Sequence, residues 1–418
     1  FILCLASVTL FAVDLDYQDL IDKTRRYLNV YPEDDAERLN LAYYYMMASD
    51  PKLALEQYRL LETKDAYASA AGEGILWALN SLGMYRQSIA KADSLITAYP
   101  TMHGYHIYKG QAELRLSYPL KARRSYLHAL KDDNRDAVIR SNARDGLAWS
   151  YLALQDYAGA INAIKAQYTD TSLSDAQKEI NRIHTFTSAA FSYKESGNYG
   201  ISANLGTQKG TWAIGASFHQ QFVDAAKYRY SIGARINKQT KPMDFSLRFA
   251  HLSGDDERVY PGNSASLKTT GKLYLADFLI KPATTIHLSS YARHNAYQGD
   301  LGIKISRDKL SLGFGISRIY QDREAIEADS LSYTHNLSVG FVPLPFLNLG
   351  LHLIKGNSAW WIDAEGSIYD DFDAPSTIYG ISANLYLSKH LGLSLYQHIG
   401  IENDENSYYT FASLTLRS

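Results

Sequence analysis

The sequence predicts two fold classes in one chain. Residues 14–184 read as an α-solenoid and residues 185–418 as an antiparallel transmembrane β-barrel of 14 strands, with 12 as the alternative count. Three observations predict this. Up to about residue 184, Ala, Leu and Tyr recur at helical spacing, and small residues return at intervals near 34. From about residue 197, apolar and polar residues alternate in stretches of roughly 10 residues. The connections between those stretches switch between short and long, as in a closed barrel with tight turns on one rim and loops on the other.

Composition bounds the classes. The 42 Lys and Arg are matched by 44 Asp and Glu, so the chain lacks the excess of basic charge of a nucleic-acid binder. Tyr is abundant, 33 residues, many within the alternating stretches, where barrel walls use aromatic residues at the two membrane–water interfaces. Beyond the first dozen residues no stretch is continuously apolar for the roughly 20 residues a spanning helix needs, so passage through a membrane falls to strands. The opening run Phe1-Ile2-Leu3-Cys4-Leu5-Ala6-Ser7-Val8-Thr9-Leu10-Phe11-Ala12 reads as the apolar part of a secretory signal peptide, with residues 1–13 removed after export. A lipid anchor on Cys4 fits less well, because Leu3 replaces the small residue such a site needs. A buried first helix is the other alternative. Cleavage would leave a chain with no cysteine, consistent with an exported protein without disulfides.

In the first half, Ala54, Ser88 and Ala122 are spaced by 34 residues and Ala160 follows after 38. Leu82-Gly83-Met84-Tyr85 precedes Ser88, Ala92, Leu95 and Pro100. Leu154-Gln155-Asp156-Tyr157 stands in the same place before Ala160. Gly110, Ala122, Tyr126 and Ala129 fit a further copy, as do Ala42, Tyr45, Ala54 and Tyr58. The pattern resembles the tetratricopeptide repeat, a helix–turn–helix unit whose pairs bury their apolar faces only against the next pair. Residues 14–31 are expected to form a capping helix. Arg115, Lys121, Arg123, Arg124, Arg135, Arg140 and Arg144 fall within thirty residues of one another. They read either as a patch for an acidic partner or polymer, or as solvated helix faces offset by Asp132, Asp133, Asp136 and Asp145.

In the second half, Ile201, Ala203 and Leu205 alternate with Ser202, Asn204 and Gly206, and Leu310, Leu312, Phe314 and Ile316 alternate with Ser311, Gly313 and Gly315. Leu347–Leu353 and Tyr379–Leu387 repeat the theme. Short connections are expected near 207–210, 238–243, 281–284, 306–309, 342–346 and 388–391. Longer ones are expected near 254–265, 320–330, 356–376 and 402–407. The long ones carry Asp255-Asp256-Glu257, Glu324, Glu327, Asp329, Asp370, Asp371 and Asp373; the short ones carry Lys209, Lys241, Lys281, Arg307, Lys309 and Lys389. An even strand count puts both ends of the barrel on the short-turn rim. The inward parity carries Arg229, Arg235, Arg248, Arg293 and Lys304, with His219, His287, His352 and His398, and Asp277 as the main acid. In a water-filled lumen those cations favour anions. Folded-back loops pairing with them would instead plug the barrel.

No Gly-x-Ser-x-Gly elbow, phosphate loop or His-Glu-x-x-His site occurs, and the chain reads as a non-enzyme without catalytic, cofactor or metal residues. His103 and His106 read as packed or surface groups. His294-Asn295 reads either as part of a barrel lipid hydrolase, the Asn orienting the His, with no serine assignable as its nucleophile, or as polar residues near a strand end. In architecture the chain resembles the outer-membrane components of exopolysaccharide secretion and YaiO-like barrels. That resemblance implies a bacterial outer-membrane barrel, embedded in outer-membrane lipid, with repeats in the periplasm. It also implies a pore or export role for an exopolysaccharide or other anionic polymer, and a periplasmic protein partner recruited by the repeats. The alternative is a protein-interaction scaffold anchored by a plugged barrel.

Overall fold

A computed structural model shows both architectures in the expected order. The structure describes residues 17–131, 137–164, 175–194, 199–223, 227–254, 261–291, 294–323, 330–356, 361–362, 368–369, 377–388, 390–402 and 405–417, without the side chains of some strand ends, those of Arg229 and His294 among them. The expected signal segment, Arg135, Arg293, Lys389 and the acidic residues of the long connections lie outside the described residues.

The helices are α1 (Tyr17–Val30), α2 (Asp35–Met47), α3 (Pro51–Leu61), α4 (Ala68–Ser81), α5 (Tyr85–Ala98), α6 (Tyr105–Arg115), α7 (Pro119–Ala129), α8 (Ala137–Ala153), α9 (Tyr157–Ile164) and α10 (Asp175–Asn181). Local chemistry sets their starts. The Asp34 side chain accepts from the Glu37 amide, and Asp50 accepts from the Leu53 amide just ahead of Pro51. Between the two helices of each pair the chain passes through one left-handed residue: Ser49, Gly83, Ser117 and Gln155, with φ of 62°, 72°, 63° and 58°. Their spacing matches that of Ala54, Ser88, Ala122 and Ala160, each of which is fully buried. A side chain larger than these would separate the helix backbones. Glycine serves the same end at Gly74, where a β-carbon would lie 2.3 Å from Cζ of Tyr58. Ile21, Leu41, Ala42, Tyr45, Leu55, Tyr58, Ile75 and Leu79 join in one core, which ties α1 to the first repeats.

His106 on α6 stacks on His128 of α7, with ring centroids 5.2 Å apart. Burial, then the neighbouring His128 and Lys109, hold His106 down to about 4, and burial lowers His128 as well. The unfolded chain therefore binds more protons than the folded one between about pH 6.5 and 4, and the solenoid loses stability as pH falls through that window. Glu113, pushed up by burial, acts in the opposite sense. His106→Phe is expected to flatten the acid branch of thermal unfolding of the full chain, followed by helical circular dichroism; an unchanged branch would refute the assignment.

By compactness the chain divides at Gly146/Leu147. Residues to 116 with 121–146 form one unit, and 117–120 with 147–418 form the other. The change from helix to strand comes later: α10 ends at Asn181 and the first strand opens at Ile183, just before the 184/185 boundary that the alternating pattern indicates.

The barrel strands are β1 (Ile183–Lys194), β2 (Tyr199–Lys209), β3 (Trp212–Val223), β4 (Lys227–Gln239), β5 (Met243–Gly254), β6 (Pro261–Gly271), β7 (Phe278–Tyr291), β8 (His294–Arg307), β9 (Leu310–Arg323), β10 (Ser330–Leu344), β11 (Leu347–Gly356), β12 (Thr377–Tyr386), β13 (Leu391–Glu402) and β14 (Glu405–Arg417). Each pairs antiparallel with its chain neighbours, and β1 pairs with β14, Ala189 opposite Leu414. The 14 strands thus close without an edge. Two minor pieces accompany them: Leu273–Leu275, hairpinned onto the start of β7, and a two-residue pairing of Trp361–Ile362 with Ile368–Tyr369. One parity is apolar and exposed, including Leu205 at 62%, Ile232 at 56%, Phe249, Leu301, Leu312, Phe314, Leu351 and Ile381. The other carries Gly, Ser, Asn and charge, so the sheet is apolar outside and polar inside, the arrangement a bilayer requires.

Two expected connections differ. Residues 281–284 lie inside β7, and the turn comes at 276–277. Pro282 reads as a breaker, yet it stands just past Thr270↔Ala283, the last pair between β6 and β7, so its missing N–H removes no bond of that ladder. At 402–407 the connection is short: Glu402 pairs directly with Glu405. A polar stretch there was readable as a loop, but the strands run through most of it.

Within the second unit, α9 and its flanks are fastened to the rim formed by the ends of even-numbered strands. Lys272, just past β6, has its Nζ 2.8 Å from Asp156 Oδ1 and 2.6 Å from Asp244 Oδ1 at the start of β5. The Tyr274 hydroxyl donates to Asp156 Oδ2 at 2.8 Å. Gln239, closing β4, accepts from the Tyr157 amide at 2.9 Å and donates to the Gln155 carbonyl at 3.0 Å. The Lys272 and Asp156 side chains are 1% and 3% exposed, so this is a dry ion pair.

Candidate functional site: the barrel lumen

Strand parity selects what faces the axis. On β4, Arg235 faces inward, and across the ladder it meets Arg248 of β5. Arg248 stands opposite Ser266 of β6, and Lys268 follows two residues later on the same face. On β7 and β8, Lys281 and Lys304 are direct cross-strand partners. The wall from β4 to β8 therefore carries two pairs of like charges side by side. Such pairs destabilise a sheet unless water or counter-anions screen them. Arg235 and Lys304 are exposed although they point into the barrel, which marks this part of the lumen as wet.

Among the described side chains, the inner face of β5 and β8 carries Asp244, engaged with Lys272, and Asp300, which accepts from Gln298 Nε2 at 2.7 Å and lies 2.9 Å from His287 Nε2. Asp277, expected as the main inward acid, stands instead in the turn before β7, because the turn falls at 276–277 and not at 281–284. Asp300 was open to detection. It shares parity with Lys304 and alternates with the outward Leu301, Ile303 and Ile305.

The opposite wall carries His219, His352 and His398. His352 and His398 both lie against Gly380, where a β-carbon would be 3.4 Å from His352 Cβ and 2.6 Å from His398 Cδ2. His352 Nε2 also contacts Ser382 Oγ at 3.3 Å. His219 lies inward on β3 between Ser202 and Ser231. Arg229 occupies the β4 ladder opposite Gly254, its side chain outside the described residues. The structure thus brings Arg235 to Arg248 and His352 to His398, and leaves Lys304 with Lys281. Toward the long-connection rim, the inward side chains of β7–β10 are covered: Ser289, Gln298, Ser317, Ile319, Gln321 and Thr334 are all at most 4% exposed. The lumen is packed against that wall.

The solenoid cations do not share one helix. Arg115 ends α6, Lys121, Arg123 and Arg124 lie on α7, and Arg140 and Arg144 lie one turn apart on α8. Among the described residues no group of three or more His, Cys, Asp and Glu is placed to hold a metal ion.

These features define a membrane β-barrel preceded by a tetratricopeptide-like solenoid. No protein-family model matches the chain, and no curated protein matches it. Among solved structures, the chain is similar to MamA protein, with 16% identity over 38% of this chain and 90% of that one, TM-score 0.31. It is also similar to KdgM porin, with 9% identity over 55% of this chain and 98% of that one, TM-score 0.31. The likeness to OccAB4 of Acinetobacter baumannii is 9% identity over 56% and 97%, TM-score 0.31.

Proposed function

We propose that the protein is an outer-membrane channel whose lumen favours anions, with its repeats on the periplasmic side, where they recruit a protein partner. The observation that carries this reading is the pairing of Arg235 with Arg248 and of Lys281 with Lys304 on an inner face where Arg235 and Lys304 are exposed. Rings or walls of cations lower the energy of an anion in a narrow aqueous path. Both ends of the barrel, and with them residues 147–181, belong to the short-connection rim, the periplasmic rim of such barrels. An exopolysaccharide or other anionic polymer is the cargo class that fits this charge. Arg115, Lys121, Arg123, Arg124, Arg140 and Arg144 are the residues we assign to an acidic partner or to that polymer.

In planar bilayers under a KCl gradient, the full chain is expected to conduct with anion preference. Arg235→Ala with Arg248→Ala is expected to move the reversal potential toward that of a non-selective pore. An unchanged reversal potential would remove the lumen assignment. The covered side chains of β7–β10 favour a second reading, a sealed barrel that anchors the solenoid. That reading predicts no conductance and capture of a periplasmic protein by the full chain.

A further inference from the structure

The outer wall holds a polar arrangement that a channel does not need. His251 of β5 and Asn263 of β6 are direct cross-strand partners on the lipid-facing parity. Their side chains meet, Nδ1 of His251 lying 3.1 Å from Oδ1 of Asn263. A carboxamide oxygen only accepts, so Nδ1 carries the proton and Nε2 is left as a bare lone pair. This is the tautomer that a general base of a hydroxyl nucleophile requires, held by a neutral amide in the orienting place.

A hydroxyl stands on the same face. Ser253 lies two residues beyond His251, about 7 Å along the strand, and its cross-strand partner Tyr230 is outward as well. At that spacing the His251 imidazole and the Ser253 hydroxyl are neighbours along one face of the strand. One rung toward the membrane centre the wall dips. A depression of about 850 Å³ is floored by Ala216, Ala234 and Ala265 and walled by Phe249, Leu288 and Tyr297, with His251 and Asn263 at its edge. These residues sit in register across β3, β4, β5 and β6, Ala216 opposite Ala234, Ala234 opposite Phe249 and Phe249 opposite Ala265, so the alanines flank the ring. All of these groups lie near the rim of long connections, since β5 ends at Gly254 and β6 begins at Pro261. The wall faces lipid, so the occupant of an apolar trough there is an acyl chain, and the bond it presents at the polar edge is its ester.

We propose that His251, Asn263 and Ser253 form a site for hydrolysis of fatty-acyl esters of membrane lipid. Ser253 Oγ attacks the ester carbonyl carbon while its proton passes to His251 Nε2. Collapse breaks the ester C–O bond, and the proton goes from His251 to the departing alcohol. Water, deprotonated by His251, then attacks the acyl-serine; the Oγ–carbonyl bond breaks, Ser253 recovers its proton and the fatty acid leaves. Asn263 is a positioning residue, holding the tautomer. The site rests on the lipid-facing reading of the wall and not on whether the lumen conducts.

The test uses the full chain reconstituted in two kinds of vesicle, one of phosphatidylethanolamine and one containing lipopolysaccharide, with released fatty acid measured. Release in either arm supports the site and identifies the lipid; release in neither overturns it. Ser253→Ala is expected to abolish release, and release that persists in it would equally overturn the proposal. An alkyl fluorophosphonate should label Ser253, with labelling lost in Ser253→Ala and reduced at least tenfold in His251→Ala. Asn263→Ala should shift the pH–rate profile, and Asn263→Gln should restore part of it, whereas a merely structural Asn263 would leave the profile in place. Failure of labelling in a barrel that still conducts anions separates this proposal from the channel reading.

Discussion

Lys272→Met is expected to loosen the segment 147–181 from the barrel rim while leaving the barrel closed. Lys272 stands between two carboxylates, Asp156 and Asp244, with side chains 1%, 3% and 29% exposed. Removing the cation leaves Asp156, among the described residues, with the Tyr274 hydroxyl and the Gly159 amide, the latter at 3.0 Å. Breaking a buried pair from one side costs about 3–5 kcal/mol, because the remaining charge has no counter-ion and little water. Amides of α9 should exchange with solvent faster in the variant, and limited proteolysis should cut between residues 147 and 181. Adding Asp156→Asn should recover a good part of the loss, since the two residues share one interaction and their effects are not additive. Equal exchange in the wild type and Lys272→Met would show that the backbone contacts of Gln239 suffice.

Tyr126→Ala is expected to cost the solenoid about 3–5 kcal/mol, the range for removing a large ring from a packed interior. Tyr126 is 1% exposed. Its ring occupies the space left by two glycines: a β-carbon at Gly110 would be 2.9 Å from it and one at Gly146 would be 2.2 Å away. With no side chain on either glycine, neither facing position can supply atoms to refill the cavity. Helical circular dichroism of the full chain should show an earlier thermal transition for the helices, with the strand signal unmoved. Tyr126→Phe should cost far less, because the filled volume stays. A variant with wild-type melting would mean that the helices around Gly110 and Gly146 collapse onto the gap.

Much of this architecture is legible in the residues because each half repeats a simple physical demand. In the solenoid, one small residue per repeat returns in a fixed frame, and Ala54, Ser88, Ala122 and Ala160 are indeed fully buried. In the barrel, one parity meets hydrocarbon and the other water, so phase alone places Arg235, Arg248 and Lys304 on the inner wall. What escapes such reading depends on chain segments far apart. Lys272 and Asp156 are joined only by the fold, and neither has a local pattern. Pro282 reads as a turn because its tolerance depends on where β6 stops. Asn263 meets His251 only through strand register, and the more obvious adjacent pair, His294 and Asn295, draws attention away from it. The Asp300–His287 contact likewise joins neighbouring strands.

The seam between β1 and β14 joins the two ends of the barrel's sequence. Each internal strand pairs with the one before it, but Phe186 through Lys194 pair with Tyr409 through Arg417. Without that pairing the wall keeps two unsatisfied margins. Shortening β14 by half should therefore leave a sheet that cannot close, scored as loss of the compact, heat-modifiable form in gel electrophoresis, rather than a leaky version of the finished cylinder.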